Sequence, residues 1–192
     1  MKRYRADYIP LFLIAGAIVV LDQVSKYLIR ANLALGEVYR PELWISQFAR
    51  FVHLHNSGAA IGIFPSLGNV FMILAMLVSA AFIYYYPRIP RQDRLVRLAI
   101  ALLLGGAMGN LIDRLHQGYV TDFISLLNIP VINLADLSVS SGVILLMIGL
   151  LQQEQRKKHE PDPASQGDDP GDPSEAGRNL TVKTPPKEVR SE

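Results

Sequence analysis

The sequence predicts an all-α membrane protein, with four transmembrane helices and a small strand-containing or interfacial element outside the bilayer on the outer side. Three observations carry this. Half of the 192 residues are hydrophobic, and they gather in four long runs instead of spreading evenly. Each run approaches or exceeds the roughly 20 residues that a helix rising about 1.5 Å per residue needs to cross a bilayer. Basic residues concentrate in alternate links, the asymmetry that sets membrane orientation.

The first span is expected over Tyr8 to Ile29. Lys2, Arg3 and Arg5 precede it, as they would a signal peptide. The run is too long for such a peptide and carries Asp22 and Lys26, so it is read as a retained span. The second span is expected over Leu67 to Tyr86, the third over Leu95 to Ile112, and the fourth over Val131 to Leu151. Arg88, Arg91, Arg94 and Arg97 crowd the link between spans two and three, and Arg156, Lys157 and Lys158 follow span four. The link between spans three and four has only Arg114. The long link from Arg30 to Ser66 spreads three arginines thinly. Both termini are therefore expected in the cytoplasm. Within the long link, Phe48 to Asn56 alternates like a strand, with Phe51, His53 and His55 on one side and Val52 and Leu54 on the other. Trp44, Phe48 and Phe51 suit the membrane interface. Residues 160–192 hold six of the twelve prolines and eight acids but only three large aliphatics. That composition cannot offset chain entropy by burial, so residues 1–159 form the membrane domain and 160–192 a disordered cytoplasmic tail.

Composition excludes several kinds of chemistry. Without cysteine there is no disulfide, no thiolate nucleophile and no cysteine metal site, and the chain cannot itself be lipid-modified on cysteine. A net charge of +2 lends no support to a nucleic-acid partner. His53 and His55 stand two apart on the extended segment but lack a third nearby ligand, and no HExxH or GxSxG occurs. His116 reads as an exposed link residue. Neither a metal, another cofactor nor an obligatory protein partner is expected.

With the N-terminus inside, the unusual polar residues all fall near the outer surface. Asp22 and Lys26 lie in the outer half of span one, Asn110, Asp113 and Arg114 close span three, Asp122 lies in the next link, and Asn133 and Asp136 open span four. An Asp at a helix centre costs about 2.5–3.5 kcal/mol, and less toward the interface. Such residues therefore need partners or a function. Asp22 and Lys26, four apart with the acid first, suit a structural helix pair. Asn110, Asp113 and Arg114 share a face, and Asp113 and Arg114 could cap and pin the outer end of span three. Gly105, Gly106 and Gly109, like Ser138, Ser141 and Gly142, suit close helix packing. Asp122 and Asp136 have no basic residue at helical spacing. Two carboxylates about 3 Å apart cannot both ionise, and one shared proton would make them an acid and a base. Spacing alone does not establish that they meet, so a structural role stays open at this point.

The stretches that carry these residues resemble the lipoprotein signal peptidase family, signal peptidase II. They are Leu21-Asp22-Gln23-Val24-Ser25-Lys26, then His55-Asn56-Ser57-Gly58-Ala59-Ala60-Ile61-Gly62, then Gly109-Asn110-Leu111-Ile112-Asp113-Arg114 with Gly118-Tyr119-Val120-Thr121-Asp122-Phe123, and last Ile132-Asn133-Leu134-Ala135-Asp136. The resemblance spans residues 8–151 and implies an aspartic endopeptidase of the bacterial cytoplasmic membrane. Such an enzyme removes the signal peptide of a prolipoprotein just before its diacylglyceryl cysteine and is inhibited by globomycin. It further implies Asp122 and Asp136 as catalytic residues. Asp22, Lys26, Asn56, Gly58, Asn110, Asp113, Arg114 and Asn133 would support them or bind substrate, and membrane lipid would be a further partner. Ile61 and Ile132 stand where the family usually has Phe, which affects pocket shape more than chemistry. Two rivals remain: a small proton-coupled transporter, and a non-catalytic membrane subunit. The first should also place polar groups toward the cytoplasmic side. The second leaves the two acids without a purpose.

Overall fold

The computed structural model describes residues 2–42, 48–57, 67–127 and 129–159. Four helices alternate with a small sheet: α1 (Lys2–Asn32), β1 (Val38–Tyr39), β2 (Ala49–Asn56), α2 (Leu67–Tyr85), α3 (Arg94–Gln117), β3 (Val120–Leu126) and α4 (Leu134–His159). A 3₁₀ turn, Tyr86–Arg88, follows α2. Helical hydrogen bonding runs beyond the expected spans at both ends of α1 and α3 and at the C-terminal end of α4, because apolar length marks the hydrocarbon layer, whereas a helix ends only where its backbone ladder is interrupted. Helix α4 begins at Leu134, three residues after the expected Val131, and α2 ends at Tyr85, one before the expected Tyr86. At the end of α3 that interruption is Gly118, whose φ of 78° turns the chain and lets its N–H reach Arg114 O at 3.1 Å.

Among the described residues, three helices are long and apolar enough to cross a membrane: Tyr8–Asn32, Arg94–Gln117 and Leu134–Arg156. The apolar stretch Met72–Arg88, which contains most of the expected second span, is shorter. Apolar side chains such as Leu13, Val20, Leu77, Ile144 and Met147 are exposed on α1, α2 and α4, while α3 lies at the centre with Val96, Ala99, Ile100, Leu103 and Leu104 buried. This is the inverse of a soluble fold and suits a hydrocarbon solvent. A core of Leu11, Ala15, Tyr86, Val96, Ile100, Ala101 and Leu104 holds one end of the bundle. Tyr8 Oη donates to Ile83 O there, and the Arg97 guanidinium lies 4.2 Å from the centre of the Tyr86 ring.

The glycine expectation holds. A Cβ on Gly105 would lie 2.9 Å from Ala15 O, and one on Gly109 would lie 2.6 Å from Asp22 Oδ2. The helices approach too closely there for any side chain. Ser138 Oγ donates to Leu102 O at 2.9 Å, tying α4 to α3.

At the other end, the three strands form an antiparallel sheet in the order β1-β2-β3. The extended element expected in the long link is thus a strand, but its strict alternation fails. The register slips between Phe51 and Leu54, and Val52 and His53 are both buried. A bulge places an extra residue on one strand and rotates its neighbours, which breaks the period of two. The segment containing Asp122, expected as a link, is strand β3. Its run Val120-Thr121-Asp122-Phe123-Ile124 is rich in β-branched and aromatic residues. Trp44 and the expected tail over 160–192 lie outside the described residues. The last described turn of α4, from Arg156 on, belongs to a separate unit of the chain.

Candidate active site

Two polar clusters share the sheet end of the bundle. In the first, Lys26 is fully buried, and its ammonium contacts Asp22 Oδ2 at 2.8 Å, Asp113 Oδ2 at 3.0 Å and Asn110 Oδ1 at 2.9 Å. An ammonium has three donors, and all three are used. Gln23 Nε2 adds bonds to Asp113 Oδ1 and Gly109 O, each at 3.0 Å. Asp22 Oδ1 accepts from Ala135 N at 2.9 Å, so an acid on α1 caps the first turn of α4. Asp113 Oδ2 accepts from Thr121 N at 3.0 Å. Asp22 and Lys26 are therefore the structural pair expected. Asp113 does not cap its own helix: it anchors β3 and pairs with α1.

The second cluster contains Asp122 and Asp136. Asp122 Oδ1 accepts from Asn133 Nδ2 at 2.7 Å, and its Oδ2 from Asn56 Nδ2 at 2.8 Å. Asp136 Oδ1 accepts from Asn110 Nδ2 at 2.8 Å. Asn133 and Asp136 close a reciprocal box at the start of α4. Asp136 N donates to Asn133 Oδ1 at 3.0 Å, and Asn133 N donates to Asp136 Oδ2 at 3.2 Å. Asn133 Nδ2 also donates to Asn110 Oδ1 at 3.1 Å. One buried amide thus joins Asp122 to the helix turn that carries Asp136.

The backbone makes this meeting possible. Ile132 folds back on β3, where its O accepts from Phe123 N at 3.0 Å and Ile124 N at 2.7 Å, and its N donates to Ile124 O at 3.0 Å. This short return delivers Asn133 beside Asp122, although the acids stand fourteen positions apart. On the other side, antiparallel pairing of Leu54 with Asp122 brings Asn56 within reach. Thr121, fully buried, is held through its N by Asp113 and through Oγ1 by Arg30 Nη1 at 3.0 Å.

Asp122 is 3% exposed, and its carboxyl is pushed up to about 6. Burial is the main cause. The bonds from Asn56 and Asn133 oppose it, and the charge of Asp136 adds to it. Asp136 is half-buried. Among the described residues no cation lies within ion-pair distance of either acid, although Arg114 is close enough for both charges to act on its guanidinium. Arg114 Nη1 makes a long contact of 3.4 Å to Asn110 O on its own helix.

The structure thus gathers Asp22, Lys26, Asn56, Asn110, Asp113, Asp122, Asn133 and Asp136 into one connected network. Gly58 lies outside the described residues. The sequence reading passed over Gln23, Thr121 and Arg30. Gln23 and Thr121 had a signal, since each adjoins an acid already singled out. Arg30 had none, because only the fold brings it to β3. The histidines do not converge on a metal-like cluster. His53 Nδ1 donates to Leu33 O at 2.9 Å, and His55 stacks on Tyr119 with ring centres 3.6 Å apart. No group of three or more potential metal ligands occurs among the described residues.

A sequence model of the signal peptidase (SPase) II family matches residues 14–152, which include the whole network. The chain belongs to the signal peptidase II family. A lipoprotein signal peptidase of Moorella thermoacetica is 41% identical over 152 residues, covering 79% of this chain and 99% of that protein. One from Staphylococcus aureus is 35% identical over 150 residues, covering 76% of this chain and 90% of its own length. A bacterial membrane enzyme solved by the in meso method at 2.3 Å resolution superposes with a TM-score of 0.71 at 34% identity, covering 80% of this chain and 94% of that one. A second, solved at 1.9 Å resolution, gives 0.67 at 35% identity, covering 74% and 92%. All four motifs lie inside the family match, and the backbone is shared with these bacterial membrane enzymes.

Proposed function

We propose that this chain is an aspartic endopeptidase that removes signal peptides from bacterial prolipoproteins, cutting before the diacylglyceryl cysteine. The observation that carries the reading is the Asn133 side chain, which bonds Asp122 directly and caps the turn bearing Asp136. Two acids supported by neutral amides, without a paired cation, can exchange a proton, whereas a salt-bridged acid is held ionised.

Asp122, whose charge burial disfavours, begins as the acid, and Asp136 as the base. A water between them loses a proton to Asp136 as it attacks the scissile carbonyl. Asp122 donates to the carbonyl oxygen; as the C–N bond breaks, Asp136 gives its proton to the leaving amine and Asp122 takes one back from the diol hydroxyl as the carbonyl re-forms. No metal or covalent intermediate enters this step. Asn56 and Asn133 position Asp122, and Asn110 positions Asp136. Arg114 lies where it can hold the outer link or a substrate phosphate.

The domain over residues 1–159 is placed in the cytoplasmic membrane with four spans and both termini inside, which sets the site near the outer face. Alternating basic links support this, as does the antiparallel run of helices. The tail over 160–192 is proposed to lie in the cytoplasm and to take no part in catalysis. Globomycin is expected to compete with substrate.

The test is cleavage of a purified diacylglyceryl prolipoprotein by the full chain in proteoliposomes. Asp122→Asn and Asp136→Asn should each lower turnover by about 10²–10⁴-fold while the protein remains folded in the membrane. Full activity in either variant removes the pair from the mechanism. EDTA should not inhibit, and zinc-reversible inhibition would redirect attention to His53 and His55. Proton flux without proteolysis would favour a transporter instead.

A further inference from the structure

A cavity of about 440 Å³ lies between the last turns of α1 and the sheet. Leu28 and Ile29 line it from the helix, Leu33 from just past the helix end, and each strand contributes one aromatic residue: Tyr39, Phe51 and Phe123. Its two polar lining residues are satisfied by their own helix, since Ser25 Oγ donates to Asp22 O and Asn32 Nδ2 to Leu28 O, both at 2.8 Å. What faces the space is therefore apolar, and an apolar cavity does not hold ordered water. Leu28 lines the cavity yet is 53% exposed, so the space opens onto the face of α1 that also bears exposed Val24 and Leu21. That face belongs to a helix long and apolar enough to span a bilayer. Hydrocarbon can enter from the side.

Three arginines flank the lining residues in sequence. Arg30, Arg40 and Arg50 each adjoin a lining residue in sequence, Ile29, Tyr39 and Phe51. None of the three has a carboxylate within 4 Å among the described residues. Arg30 and Arg50 each spend one donor on a hydroxyl of β3, Thr121 Oγ1 and Ser125 Oγ. A guanidinium has five donors and suits phosphate.

We infer that this cavity holds a resident bilayer phospholipid, with one acyl chain between α1 and the sheet and its phosphate among Arg30, Arg40 and Arg50. The lipid then lies behind β3, against the side chain that follows Asp122 in the strand. It is a ligand of the scaffold, distinct from the peptide that is cleaved.

The experiment uses the full chain in nanodiscs doped with phosphatidylglycerol that carries a photoreactive diazirine midway along one acyl chain. After photolysis, labelled peptides are mapped by mass spectrometry. Peptides containing Phe51 and Phe123 should be labelled several-fold more than the exposed α4 surface around Ile144 and Met147. Ser25→Phe, which fills the cavity, should remove the Phe51 and Phe123 labelling and keep that of α4. Leu33→Trp fills the opposite end and serves if Ser25→Phe does not fold. Arg40→Gln with Arg50→Gln should lower the same labelling. Labelling no greater than on α4, or unchanged by both filling substitutions, overturns the inference. So does displacement of the label by a diacylated lipopeptide, which would make the cavity a substrate subsite. The readout is lipid labelling, so it stands or falls apart from peptide cleavage.

Discussion

Two pairs of aspartates lie in one network and are treated in opposite ways. Asp22 and Asp113 are fully buried and share the ammonium of Lys26. Asp122 and Asp136 receive side-chain bonds from Asn56, Asn110 and Asn133. A buried cation supplies its carboxylates with an opposite charge, and removing it would leave them buried without one. An amide donates a hydrogen bond without supplying a charge. The lysine pair joins α1, α3, β3 and α4 into one frame. The amide pair is the one proposed to exchange a proton within that frame.

The comparison can be broken most severely by removing its titratable members. Asp122→Asn and Asp136→Asn should end cleavage, yet Asp122→Asn should not weaken the fold at neutral pH. The Asp122 carboxyl is raised to about 6 from 3.8, so the folded state binds more protons between those values. Stability from this group is present below about pH 4 and lost as pH rises through 6. Asp122→Asn should therefore raise the melting temperature above pH 7, corresponding to about 1–3 kcal/mol. Thermal unfolding at pH 4 and pH 8 checks the sign.

Lys26→Met should do the reverse. It leaves Asp22 and Asp113 buried without a cation and should cost about 3–5 kcal/mol. The yield of folded protein should fall further than the turnover of the molecules that fold. Asp22→Ala should act in the same direction, since it also removes the cap on Ala135 N. Equal losses of turnover and stability would blur the division between the pairs.

A smaller effect sharpens the comparison. The bond from Asn56 lowers the pKa of Asp122, so Asn56→Ala should raise it further. With Asp122 as the initial acid, the alkaline limb of the cleavage profile should move to higher pH. A limb that moves the other way would reverse the assigned roles. The smallest effect is expected from deleting residues 160–192, which should leave cleavage nearly unchanged in the proteoliposome assay.

Much of the frame was legible in the sequence. Apolar run length gave the helices, and the spacing of Asp22 and Lys26 gave their pair, because both depend on residues close along the chain. The glycines of α3 announced close packing for a similar reason. Strand β3 was missed despite its β-branched and aromatic run, because that run is short and its pairing with β2 is remote. The bulge at Phe51 to Leu54 was missed because alternation extrapolates a regular period.

Sequence by itself determined the apolar helices and the motifs that carry the family. Tertiary structure alone decided which acid meets which partner. Asp113 turned from its own helix toward Lys26 and Thr121, and Asn133 came to bridge two acids. The physical reason is range. Hydrophobic periodicity is written over neighbouring residues, whereas a hydrogen bond of about 3 Å between distant residues exists only after the backbone has folded them together.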